Sequence, residues 1–79
     1  MVNPAIDCVV TKVNREPGYV ILSVGRDEKV HKGMRFILSR DGKYVGEVQV
    51  DSVYPKISSA AFVTPNMAPE VGDEAATRL

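Results

Sequence analysis

The sequence predicts an all-β fold, a small closed or partly open barrel of five to six mainly antiparallel strands in one domain of 79 residues. Three observations carry that expectation. Short apolar-polar alternations rich in β-branched and aromatic residues recur along the chain, as half-buried strands require. Glycine, proline and Asp-Gly signals separate them. Helical periodicity longer than two turns occurs nowhere.

The elements follow in chain order. Met1-Val2-Asn3-Pro4 is a lead-in, because Pro4 cannot donate to a strand ladder. From Ala5 to Val13, Ile6, Cys8 and Val10 share one face while Val9, Thr11 and Val13 partly cover the other, a pattern that suits a strand crossing a seam or carrying a bulge. Pro17 and Gly18 make a turn, and Tyr19 to Val24 is the returning strand with Val20, Leu22 and Val24 inward. Gly25 and Gly33 bracket a charged loop at positions where positive φ is expected, and Val30 plugs that loop onto the core. Met34, Phe36 and Leu38 alternate with polar neighbours, broken only by Ile37. Asp41-Gly42 between two alternating runs is a strong hairpin signal. Tyr44, Gly46, Val48 and Val50 then face one way and Glu47, Gln49 and Asp51 the other, with Gly46 allowing a bend or a close approach. Ile57 to Val63 is expected to be a strand whose small residues sit where backbones crowd, and the last strand runs from Ala75 to Leu79. Val30-His31-Lys32-Gly33-Met34 and Glu70-Val71-Gly72-Asp73-Glu74 each place a glycine turn before a strand. They mark either corresponding corners of one barrel or a chance match of a valine near a glycine.

Composition narrows the function classes. Ten basic and ten acidic side chains cancel, so no long-range field steers the chain toward nucleic acid or an anionic surface. Cys8 is the single cysteine, which removes a disulfide framework or a cysteine-based metal site within one subunit and reads as a small core residue. No apolar run is long enough to span a bilayer and no signal-peptide order is present, so direct membrane insertion is not expected. The chain reads as soluble, either complete or a piece of a longer protein.

Catalysis needs convergent groups with tuned pKa values. Asp27, Glu28 and His31 form the only mixed cluster, and they lack a second histidine or a cysteine, so a solvated charged loop is the reading preferred over a metal site. None of Ser23, Ser39, Ser52, Ser58 and Ser59 has a base placed beside it by sequence. No catalytic residue, metal or cofactor is assigned. Arg15, Arg26, Lys29, Lys32, Arg35, Arg40 and Lys43, with Tyr19, Tyr44 and Tyr54, leave open an oligonucleotide-binding or SH3-like barrel. Interleaved acids and tyrosines expected to pack the core argue against it.

The order of Val13, Val20 to Gly25, Val30 to Phe36, Tyr44 to Val48, Val53, Ser59 to Ala61, and Val71-Gly72-Asp73-Glu74 with Thr77 resembles a small bacterial β-barrel module. Such modules form the C-terminal end of envelope-associated proteins, often after a coiled coil, and the C-terminal domain of a flagellar assembly protein is similar. Gly72-Asp73 also resembles the glycine-aspartate turn of cradle-loop barrels, which implies that the Asp73 carboxylate caps backbone amides. The resemblance implies a non-catalytic interaction or assembly module in the cell envelope or periplasm; without it, a cytoplasmic setting is the default. The expected partner is another protein or a second copy. Because a small barrel leaves strand edges near its seams, the candidate interface is the two-faced segment Ala5 to Val13, represented by Val9, together with Ile37. The structural turns are assigned to Gly18, Gly25, Gly33, Asp41, Gly42, Gly72 and Asp73.

Overall fold

The structure, a computed structural model, describes residues 5–77; the expected lead-in Met1–Pro4 and the strand end at Arg78 and Leu79 lie outside them. Six strands form: β1 Asp7–Asn14, β2 Tyr19–Leu22, β3 Arg35–Arg40, β4 Lys43–Val53, β5 Ser58–Phe62 and β6 Glu74–Ala76, with one turn of 3-10 helix at Arg26–Glu28. All pairings are antiparallel, and the order β1-β2-β5-β4-β3-β6 returns to β1, so the barrel is closed. Closure removes the free edges expected near the seams. A partner that leaves the barrel closed must therefore meet an outer face or a loop.

Alternation delivers the core. Val10, Val20, Leu22, Phe36, Leu38, Val48 and Val50 point inward and are fully buried, with Ala60 and Ala75 buried among them. Each such large apolar side chain contributes about 1.5–3 kcal/mol of burial. Val30 and Val24 close the core from the charged loop, as expected. The Ser58 hydroxyl is buried with no hydrogen-bond partner among the described residues.

Asp41 and Gly42 have φ of 53° and 78° between the paired Arg40 and Lys43, the mirror-image turn that matches strand twist. Immediately after it the register shifts: Leu38 lies opposite Gly46, yet Ser39 lies opposite Tyr44, so Val45 is extra. That bulge corrects the expected facing of Tyr44, which is 60% exposed and not in the core. Tyr54 is 50% exposed, so the expectation that the tyrosines pack the core fails for it too.

Gly25 also departs from expectation. Its φ is −146°, ordinary extended backbone, and its reason is crowding. A Cβ there would overlap the Tyr54 carbonyl oxygen and approach the Ile57 oxygen and nitrogen at 2.6 and 2.7 Å. The loop sits tightly against the β4–β5 tip because Arg26 N–H donates to Tyr54 O (2.8 Å) and Asp27 N–H to Pro55 O (3.1 Å).

The two glycine corners correspond. At the first, Gly33 N–H donates to Val50 O (2.9 Å), Val50 N–H to Met34 O (2.8 Å) and Met34 N–H to His31 O (3.2 Å). At the second, Gly72 N–H donates to Val10 O (2.8 Å), Val10 N–H to Asp73 O (2.9 Å) and Asp73 N–H to Glu70 O (3.1 Å). The correspondence extends along the ladders. Arg35, Phe36 and Ile37 face Gln49, Val48 and Glu47, as Glu74, Ala75 and Ala76 face Val9, Cys8 and Asp7. Bulges fall at Val10/Lys12 and at Val50/Ser52. Thus β1, β2 and β3 map onto β4, β5 and β6 about a pseudo-two-fold axis passing between Ile37 and its partner Ala76 at one pole and Ile21 and Ser59 at the other.

Candidate functional site on the β1–β6–β3 face

Inward Cys8, Val10, Phe36, Leu38 and Ala75 leave their neighbours on the outer surface. Asp7, Ala76, Ile37 and Glu47 form one cross-strand row, and Val9, Glu74 and Ser39 form the next. The two candidate interface residues, far apart in sequence, thereby come to one face on either side of β6. Val9 is 42% exposed, whereas Ile37 is half-buried between its neighbours. The small Ala76 leaves an open groove of about 580 Å³, with Asp7, Val9, Ser39 and Glu74 on its walls.

Charge distinguishes the halves of this face. Arg35 Nη1 pairs with Glu47 Oε2 at 3.2 Å across the β3–β4 ladder. The corresponding positions across β6 and β1 hold Glu74 and Asp7, neither paired with a described cation. The groove side is acidic and the other side neutralised. Cys8 lines the groove from within, and burial, with a smaller contribution from Asp7, pushes its thiol up to about 12 against a lowering hydrogen bond from Ser23. It is a protonated, weakly nucleophilic group at neutral pH.

The sequence-assigned turn residues hold the frame. Asp73 caps the second corner: its Oδ2 accepts the Glu70 N–H at 2.8 Å. The sequence reading missed the cation that meets it. Arg40 at the end of β3 donates from Nε to Oδ1 (2.7 Å) and from Nη2 to Oδ2 (2.9 Å), and Nη2 also reaches Ala68 O (3.0 Å). The Asp73 side chain is 2% exposed. The Arg40 hydrogen bonds hold its carboxyl below the usual aspartate range, against the opposing effect of burial. Nothing in a single sequence pairs Arg40 with Asp73, because only closure of β3 onto β6 brings them together.

The charged loop uses its mixed cluster for its own shape. Asp27 pairs with Lys56 (2.7 Å), the Glu28 carboxylate accepts the Gly25 N–H (3.0 Å), and His31 is exposed. Among the described residues no group of three or more His, Cys, Asp or Glu is placed to hold a metal ion. Comparison with known proteins finds no matching family model, no matching curated protein and no matching solved structure.

Proposed function

We propose that this domain is a non-catalytic protein-interaction or assembly module that works through the outer β1–β6–β3 face, as an appended terminal domain of a larger bacterial envelope-associated protein. The observation that supports the reading is the placement of Val9 on the wall of the open groove over β6, with Ile37 on the same outer face as the ladder neighbour of Ala76. An exposed aliphatic at the edge of a concave site is what a partner side chain buries. The motif order that resembles envelope-associated barrels supports the setting.

Light scattering over a concentration series tests it. The parent chain is expected to exceed the monomer mass, and Val9→Lys to return to monomer with an unchanged circular dichroism spectrum. Ile37→Lys should do the same at some loss of stability, because Ile37 is half-buried. A Val9→Lys chain that associates like the parent places the interface elsewhere. A parent monomeric at every concentration excludes self-association and leaves a foreign protein partner.

Exposure of Tyr44 and Tyr54 favours a second reading, single-strand nucleic-acid binding by stacking on those rings. Polarisation of a labelled oligonucleotide at about 50 and about 200 mM salt separates the readings: binding that collapses with salt and with Tyr44→Ala supports the second. No binding at the lower salt removes it.

A further inference from the structure

The pseudo-two-fold has a consequence for how one copy of this chain meets another. Each half is a strand pair, a loop and a third strand: β1-β2-β3 and β4-β5-β6. Within each half only the first two strands pair, β1 with β2 and β4 with β5. The third strand is handed over entirely. β3 pairs with β4 and β6, and β6 pairs with β1 and β3. The β2–β5 ladder also joins the halves. Neither half closes its own core: Phe36 on β3 and Val48 on β4 are opposite one another and both fully buried. The Arg40–Asp73 ion pair crosses the same boundary.

The covalent link between halves is slight. It is the two-residue Asp41-Gly42 turn, in which both residues hold positive φ, one of them an aspartate. Opening that turn to an extended strand would remove one tight turn and leave every inter-half ladder available to the same half from another molecule. Exchange of identical elements between protomers costs little for this reason, since each ladder opened inside one chain re-forms between two.

We infer that residues 5–40 and 43–77 are complementary modules that recognise each other between chains as they do within one, so that a second copy of this chain is a partner for the inter-half seams by exchange of halves. In the exchanged pair, β3 continues into β4 and each barrel takes β1-β2-β3 from one chain and β4-β5-β6 from the other. This goes beyond the outer-face reading and uses a different surface, so the two fail independently: Val9→Lys interrupts the first and leaves the seams intact.

Complementation between full-length variants tests the inference. Phe36→Asp spoils the first half and Val50→Asp the second, each placing a carboxylate at a buried position, and each chain alone is expected to be unfolded. Refolded together in equal amounts, they should yield one intact barrel per pair, recovering about half the parent's β-sheet ellipticity in a species with the mass of two chains. A mixture that stays unfolded, or recovery at single-chain mass, overturns the inference. Deletion of Asp41 and Gly42 gives a second measurement, because Arg40 joined directly to Lys43 cannot reverse the chain. A folded dimer is expected; a folded monomer overturns the inference, and so does an unfolded chain, since continuity of β3 and β4 would then be incompatible with exchange.

Discussion

The corners at His31–Met34 and Glu70–Asp73 share one backbone hydrogen-bond circuit and differ in how the circuit is secured. The first is held by its surroundings. The loop leading to it is bonded to the β4–β5 tip through Arg26 and Asp27, its Val30 is buried, and Met34 packs against the core. The second is held by charge. Asp73 occupies the position of Met34, and its carboxylate gathers Arg40 and the Glu70 amide, while Pro69 is fully buried just before the corner. Similar ladders can thus be closed by apolar packing at one corner and by a hydrogen-bonded charge at the other. Topology sets what must be satisfied at a corner, and side chains differ in how they satisfy it.

The largest expected effect lies where the first loop meets the β4–β5 tip. In Gly25→Ala the new methyl overlaps backbone atoms that cannot rotate away, so the loop must lift off, at a cost of about 3 kcal/mol. Gly46 is the contrasting position in the second half. Its Cβ would meet Met67 Cε and Sδ at 2.9 Å and Met67 Cβ at 3.0 Å; the thioether can swing away while the Cβ must give by a few tenths of an ångström, and Gly46→Ala should cost about 1 kcal/mol. Denaturant melts of the two variants measure the difference. Equal losses would mean that the first loop is no better anchored than the second.

Asp73→Ala comes next, at about 2 kcal/mol, because it removes charge-assisted hydrogen bonds and leaves the Glu70 amide without its acceptor. Acid titration sharpens the contrast between corners. The Asp73 carboxyl is held below its ordinary value, so its stabilisation is fully present above the unfolded aspartate pKa of about 3.9 and is lost as pH falls from there through the lower folded value. Asp73→Asn should therefore show a smaller loss of melting temperature than the parent below about pH 4. Identical acid profiles would reduce Asp73 to a spectator.

Much of this fold was legible in the sequence, and the misses share a cause. Period-two alternation identifies the inward faces of β2 and β3, of β1 as far as Val10 and of the middle of β4, and Asp41-Gly42 locates the central hairpin, but Val13, expected on the face of Val9, packs against the core because the bulge at Val10/Lys12 sets it opposite Val20. Tyr44 was misplaced because a bulge next to a turn inverts facing without changing composition. By sequence Gly25 looks like a conformational glycine, whereas it is a close-approach glycine, and the two are alike until the β4–β5 tip is in place. On the candidate face, Val9 and Ile37 were singled out as excess apolar residues, but their proximity depends on β6 lying between them. Arg40 is one base among several in the sequence, because its role exists only in the closed barrel.

The last expected effect is the most direct test of the symmetry. Gly33 and Gly72 have φ of 93° and 96°, and a Cβ at either would meet nothing within 4 Å. Space is therefore the same at both corners, and an alanine introduces only the strain of positive φ, about 1–2 kcal/mol. If the two corners are equivalent in backbone, Gly33→Ala and Gly72→Ala should lower stability by the same amount in matched urea melts with unchanged slopes. The double variant should lose the sum, because the corners share no side-chain partner among the described residues. Unequal single losses would show that Asp73 or Met34 modifies the strain of its own corner, and a double loss differing from the sum would show that the corners are coupled across the barrel.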